Sequence, residues 1–108
     1  MDPIAEQLKT LAAEISAKGP QKLDALTTLS RATAEGRTLI YHHAVSRRDG
    51  SDEALREFFR RNNLPKLCGD PVMRSAMNDY EVVYRYSYTF PNSQAPVTID
   101  VTPQACRS

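Results

Sequence analysis

Residues 80–102 of this 108-residue chain read YEVVYRYSYTFPNSQAPVTIDVT, and this stretch decides the fold. From Tyr80 to Phe90 the even positions are all aromatic except Val82, whereas most of the odd positions are polar. A period of two is typical of a β-strand with one buried face. Turn residues follow in Pro91–Pro96, and a second alternating run occupies Val97–Val101. The stretch therefore predicts an antiparallel hairpin with a loop in place of a tight turn.

Four of the five tyrosines in the chain lie on one face of the first predicted strand. We interpret this face as part of the core, because tyrosine is often half-buried with its hydroxyl at the rim. An exposed aromatic binding face is the alternative interpretation.

The preceding residues predict a helix and a further hairpin. Asp2 is a good N-cap and apolar residues then recur at helical spacing, which predicts a helix over Pro3–Lys18. Two strand-like runs, Thr27–Glu35 and Arg37–Ser46, flank a turn. In the second run we expect Leu39, Tyr41, His43 and Val45 to form the core face.

Two helical segments separate the hairpins. Ser51 caps the first, whose apolar stripe consists of Ala54, Leu55, Phe58 and Phe59. Asp70 followed by proline opens the second, which is shorter. The order α-β-β-α-α-β-β predicts one α+β domain over residues 1–108. Its expected core is a four-stranded antiparallel sheet, made of two hairpins, with the helices packed on one face.

Composition and charge give no indication of a nucleic-acid partner, of an anionic membrane partner or of a membrane-spanning segment. The net charge is +1, which gives no reason to expect nucleic acid or an anionic membrane. No window approaches the roughly 18 apolar residues that span a bilayer. Met1 leads directly into the amphipathic first helix, so no signal peptide is expected within these residues.

Cys68 and Cys106 are the two cysteines. A bond between them would tie the central helical segment to the end of the chain, and we favour this disulfide. Two free thiols in a cytosolic protein are the alternative.

Catalytic and metal-binding patterns are not expected. His42 and His43 are neighbours on a predicted strand, so they point to opposite faces and cannot chelate one ion. The four glycines stand alone, which excludes a glycine-rich phosphate loop. We therefore expect no enzyme activity, no metal and no cofactor.

Arginines on the second predicted helix are the candidate partner-binding residues. Arg56, Arg60 and Arg61 share roughly one side of that helix. They could bind an acidic partner, although acidic residues lie among them and a solvated helix face is the simpler interpretation.

Several short motifs resemble a diffuse family of small Gram-negative envelope proteins. They are Leu67–Pro71 and Met73–Arg74, the strand motif Tyr84–Tyr86, a terminal Cys106, and the strand Leu39–His43. The resemblance covers about residues 23–106, and the architecture also resembles the pilotin lipoproteins of type II secretion. It implies a periplasmic or outer-membrane-associated protein in which Cys68 and Cys106 are bonded and no residue is catalytic.

The first functional hypothesis is therefore a non-enzymatic envelope protein that binds another protein, as an assembly factor, pilotin-like chaperone or inhibitor. Such a protein would carry a signal sequence that is removed. The edges and outer face of the sheet are its expected contact surfaces. The alternatives are a cytosolic small enzyme or ligand-binding accessory domain with reduced cysteines, and a structural lipoprotein-type domain.

Overall fold

The computed structural model describes residues 2–47, 50–91 and 95–107. Its elements occur in the following order: α1 (Pro3–Ala17), β1 (Gln21–Lys22), β2 (Thr27–Glu35), β3 (Thr38–Val45), α2 (Asp52–Asn62), α3 (Leu64–Gly69), α4 (Pro71–Tyr80), β4 (Val83–Thr89), β5 (Val97–Val101) and α5 (Pro103–Arg107). None of these helices combines the length and the apolar character that crossing a bilayer requires.

The sheet is mixed and has five strands, in the order β1-β2-β3-β4-β5. The two predicted hairpins, β2–β3 and β4–β5, are antiparallel as expected. The prediction of a four-stranded, wholly antiparallel sheet is wrong in two respects. Gln21 and Lys22 add a short fifth strand beside β2, and β3 pairs with β4 in parallel.

The parallel pairing follows from the length of the connection between the hairpins. Parallel neighbours require the chain to cross back over the sheet, and such crossovers are long and usually helical. The crossover between β3 and β4 contains α2, α3 and α4. The helical segments predicted from the caps therefore determine the relative direction of the two hairpins.

The core lies on one face of the sheet, as predicted. Leu39, Tyr84 and Val101 are neighbours in register on β3, β4 and β5, and all three are buried. Leu8 and Ala12 of α1, Phe59 of α2 and Met77 of α4 belong to the same buried cluster. The even positions from Val82 to Phe90 are buried or half-buried against these helices, as predicted, although Ser87 at an odd position is buried as well.

Tyr80 is the exception to that alternation. It ends α4 and is 48% exposed, so the predicted strand began three residues too early. Glu81 follows in the left-handed region with φ 57° and caps α4. The chain enters β4 after this break, and Val82 still faces the core.

The helix caps are formed by the residues that the sequence indicated. Asp2 accepts hydrogen bonds from the amides of Ile4 and Ala5, and Ser51 accepts one from Ala54. Asp70 caps α4 in the same way. These bonds satisfy amides at the first turn that have no partner within the helix.

Cys68 and Cys106 form a disulfide, with their Cα atoms 5.6 Å apart. The bond joins α3 to α5 and so attaches the end of the chain to the crossover. The alternative of two free or reduced thiols is therefore wrong for this structure.

Candidate partner-binding site

An apolar groove lies between α2 and the loop that connects β1 to β2, and we call it the α2 groove. Its volume is about 580 Å³. Phe58 stands on the helical wall and Leu23 on the loop wall, while Tyr88 and Phe90 line the groove from the sheet side. Four of its lining residues are aromatic, and of these Phe58 is exposed whereas Phe59, Tyr88 and Phe90 are buried.

The floor of the α2 groove continues into a stack of aromatic rings on the core face of the sheet. Parallel pairing places Tyr41 beside Tyr86 and His43 beside Tyr88. Their ring centroids lie 5.1 and 4.6 Å apart, and Phe59 of α2 packs on Tyr86 at 5.1 Å. Such contacts stabilise the floor beyond simple burial of area.

Burial in this stack suppresses ionisation. It raises the pKa of Tyr41 and that of Tyr88 to about 12, and it raises the pKa of Tyr86 as well. Burial also lowers the pKa of His43, although a hydrogen bond between its Nδ1 and the Ser87 carbonyl at 3.2 Å opposes this effect. The floor of the groove is therefore uncharged near neutral pH.

The helical wall depends on two adjacent phenylalanines. Phe59 is buried, whereas Phe58 is 63% exposed and lines the groove. Neighbouring residues on a helix are about 100° apart, so both rings cannot enter the core. The predicted apolar stripe was therefore too wide, and its outer part forms the wall of the site.

The loop wall is held by hydrogen bonds that its backbone amides donate. The carboxylate of Asp24 accepts bonds from the amides of Leu26 and Thr27, each at 2.8 Å, and these bonds lower its pKa. The Leu23 amide donates to the Thr27 carbonyl at 2.9 Å. This conformation leaves the side chain of Leu23 55% exposed, so the wall is preformed.

The predicted arginines lie on the solvent side of α2 and are paired within the helix. Arg56 bonds Glu53 at 3.3 Å, whereas Arg60 and Arg61 both bond Glu57, at 2.6 and 3.3 Å. Arg56 and Arg60 line a small cleft beside β5, and Arg61 follows Phe58 by three residues. The three therefore border two different surfaces, and their binding of a partner stays a prediction.

The two histidines lie on opposite sides of the sheet, as their neighbouring positions required. His43 belongs to the core face of the sheet. His42 lies on the opposite face, which we call the open face, and its Nε2 is 2.7 Å from the Thr33 hydroxyl there. Within the described ranges, no three His, Cys, Asp or Glu side chains are placed to hold a metal ion.

The α2 groove was not predicted from the sequence. Leu23 lies between the predicted helix Pro3–Lys18 and the predicted strand that begins at Thr27, where no element was predicted, and Phe58 belongs to the predicted apolar stripe. The available signal was an excess of apolar residues, since α2 has two phenylalanines where one core position exists.

Comparisons with known proteins identify the fold. No family model matches the chain, and no curated protein sequence matches it. Three solved structures match it. A protein from Pseudomonas aeruginosa described as a candidate secreted protein shares 23% identity at a TM-score of 0.76, over 96% of this chain and 93% of that one. The pilotin EpsS of the Vibrio vulnificus type 2 secretion system shares 16% identity at 0.75, over 97% and 93%.

The third structure is the type II secretion pilotin AspS from Vibrio cholerae. It shares 19% identity at a TM-score of 0.66, over 95% of this chain and 92% of that one. The chain therefore resembles type II secretion pilotins in architecture, as the short motifs indicated.

Proposed function

We propose, from the fold that this chain shares with two secretion pilotins, that it is a non-enzymatic envelope chaperone. In this proposal the α2 groove binds an apolar segment of another envelope protein. The observation that carries it is the exposure of Phe58 and Leu23 on the two walls of a preformed groove with an aromatic floor. Exposed apolar surface of this kind is characteristic of protein-binding sites.

The arginines of α2 supply a second contact in this proposal. The side chain of Arg61 is 76% exposed and lies one helical turn from Phe58. A partner segment bound in the groove could therefore also place a carboxylate beside Arg61. The pairs with Glu57 are exposed, and exposed ion pairs contribute little stability. An acidic side chain of the partner can therefore replace Glu57 at low cost.

The disulfide supports an extracytoplasmic location. Disulfides persist in oxidising compartments such as the bacterial periplasm and are rare in the cytosol. The Cys68–Cys106 bond thus agrees with a periplasmic or outer-membrane-associated protein.

Site-specific photo-crosslinking in cells tests the proposal. A photoreactive residue at Phe58 should yield a crosslinked envelope protein, whereas the same residue at Thr98, exposed on the open face of the sheet, should not. The crosslinked protein is then purified and titrated against wild type and the variants Phe58→Ser and Leu23→Ser. Each variant should weaken binding by about tenfold.

The control is Thr98→Ser, which changes an exposed side chain on a different surface, outside the α2 groove. It should bind like wild type. Crosslinking at Thr98 but not at Phe58 would assign the partner to the open face of the sheet and contradict the use of the α2 groove.

A further inference from the structure

A second apolar groove lies between α1 and α4, and we call it the α1–α4 groove. Its volume is about 590 Å³, close to that of the α2 groove, and the two have no lining residue in common. Leu8 and Val82 form a buried floor, while Ile4 and Ala76 are half-buried at its sides. It is therefore an independent feature of the surface.

The rim of this groove exposes large apolar side chains. Val72 is 76% exposed, Tyr80 is 48% exposed and Leu11 is 40% exposed, and all three line the groove. Together they account for three of the five large apolar side chains that the described residues expose. The other two, Phe58 and Leu23, belong to the α2 groove, so exposed apolar surface is concentrated at these two places.

Acidic side chains border the α1–α4 groove on both walls. Glu6 and Glu14 line a shallow depression on α1 that shares Gln7 and Leu11 with the groove. On α4, the carboxylate of Asp79 accepts a hydrogen bond at 2.9 Å from Ser75, which lines the groove.

Glu81, a fourth acidic residue, lies between the lining residues Tyr80 and Val82 and is exposed. The cations near the groove are largely neutralised. Lys9 lies 3.6 Å from Glu6, and Arg37 forms an ion pair with Asp2 at 2.9 Å, so neither pair carries a net charge. Glu14, Asp79 and Glu81 lie outside these pairs, and the border of the α1–α4 groove is therefore acidic overall.

Arg37 also holds the two walls together at one end. Its Nε and Nη2 atoms donate to the carboxylate of Asp2, the N-cap of α1, at 2.9 and 3.3 Å. Its Nη1 atom donates to the carbonyl of Tyr80, the last residue of α4, at 2.6 Å. One side chain thus joins the start of α1 to the end of α4 and fixes the width of the groove.

We propose that the α1–α4 groove is a second docking site and that it takes a basic amphipathic helix of a partner protein. The lining residues extend from Ile4 to Leu11 on α1 and from Pro71 to Tyr80 on α4. At 1.5 Å per residue these spans are about 10 and 13 Å, which is two to three turns of helix. Helices of this kind bind apolar grooves through side chains at positions i, i+3, i+4 and i+7.

The charge of the border selects the polar face of that helix. Lysine or arginine beside the apolar stripe would meet Glu6, Glu14, Asp79 and Glu81, whereas acidic residues would be repelled. The same border disfavours an anionic membrane surface. The site lies outside the α2 groove, so it goes beyond the function proposed above and does not depend on it.

A synthetic peptide pair tests this proposal on the intact, oxidised protein. The probe is a helical peptide of about 14 residues with leucine at positions i, i+3, i+4 and i+7 and lysine elsewhere. The matched control peptide carries glutamate in place of lysine. Fluorescence anisotropy should show that the lysine peptide binds at least about tenfold more tightly, with an affinity that falls as salt rises.

Variants at exposed positions locate the bound peptide while leaving the fold intact. Leu11→Ser with Val72→Ser should weaken the lysine peptide by about tenfold, and Glu6→Gln with Glu14→Gln should reduce its salt dependence. Phe58→Ser should leave its affinity unchanged. Circular dichroism melts establish that each variant is folded.

Three outcomes would overturn the proposal. Equal affinity for the two peptides would remove the role of the acidic border. Loss of binding in Phe58→Ser but not in the Leu11 and Val72 variant would assign the peptide to the α2 groove. Self-association in sedimentation that Val72→Ser abolishes would assign the α1–α4 groove to a second copy of this chain.

Discussion

The side chain of Ser16 occupies the outer edge of the sheet at Ala32. Its hydroxyl donates to the Ala32 carbonyl at 2.9 Å and accepts from the Ala32 amide at 3.0 Å. β1 covers the same edge at Thr28 and Leu29. Exposed strand edges invite pairing with other chains, so α1 and β1 together protect this one.

Ser16→Ala tests this relationship. The change leaves the amide and carbonyl of the buried residue Ala32 without their partner, which should cost about 1 kcal/mol of unfolding free energy. Chemical denaturation measures the cost, and light scattering at high concentration should detect increased self-association. Thr10→Ala is the matched control, because its hydroxyl donates one bond within α1 on the exposed side. Equal stability of the two variants would show that the edge does not depend on Ser16.

Tyr84→Ala should be strongly destabilising because Tyr84 is 7% exposed in the central row of the core. The expected loss is on the order of 3 kcal/mol, as for other buried aromatic residues. Its neighbour Arg85 forms a two-point ion pair with Asp100 on the open face, at 2.7 and 3.1 Å. That pair is partly exposed, so Arg85→Ala should cost about half a kcal/mol. Urea denaturation that ranked the variants in the opposite order would contradict the register of β4.

The disulfide should contribute substantially to stability. Cys68 and Cys106 are 38 residues apart, and the chain-entropy estimate for a loop of this size is about 4 kcal/mol. Replacing both cysteines with serine should lower the unfolding free energy by up to this amount. Wild type treated with a reductant should match the variant. The intact mass of the untreated protein should be about 2 Da below that of the reduced form. Labelling of free thiols in protein purified from an oxidising compartment without a reductant would refute the bond.

His43 should make the protein less stable in mild acid. Burial lowers its folded pKa below the ordinary value of 6.5, so the neutral ring is favoured in the fold. As pH falls below about 6.5 the unfolded chain binds a proton that the folded protein does not, and the unfolding free energy decreases. Denaturation at several pH values from 7.5 to about 5 should show a smaller decrease for His43→Phe than for wild type.

The control for that comparison is His42→Gln, which removes the more exposed histidine of the open face. It should retain the part of the decrease that His43 causes. Identical pH profiles for wild type and His43→Phe would show that another group is responsible.

Local patterns predicted most of this fold. The strand β3 and the caps at Asp2, Ser51 and Asp70 have the positions that alternation and capping residues indicated, because these signals depend on near neighbours. Gln21 and Lys22 could not be predicted as a strand, since two residues have no period. The parallel pairing of β3 with β4 depends on how three helices return the chain, which is a property of tertiary packing.

The candidate site was harder to predict for the same reason. Phe58 and Phe59 are equivalent in the sequence, and the packing of α2 on Tyr86 decides which ring is buried. The α1–α4 groove exists because α1 and α4, which are about 60 residues apart in the chain, are brought together by Arg37 and by the core. Hydrophobic periodicity describes one helix or strand at a time, so it cannot predict a groove that forms between two elements distant in the sequence.

The arginines of α2 should accelerate association with an acidic partner. Arg56 and Arg60 lie on one side of the helix with side-chain exposures of 37% and 62%, so reversal to glutamate should leave the fold intact. The double variant should lower the association rate more than it raises the dissociation rate, because exposed charges act mainly on the encounter. The effect should decrease with salt, since the Debye length is about 8 Å at physiological ionic strength.

Arg31→Glu with Arg74→Glu changes the net charge equally at other exposed positions and is the control. Surface plasmon resonance with the partner identified by crosslinking at Phe58 measures both rates, and equal, salt-independent rates for wild type and the α2 variant would exclude these arginines from the interface.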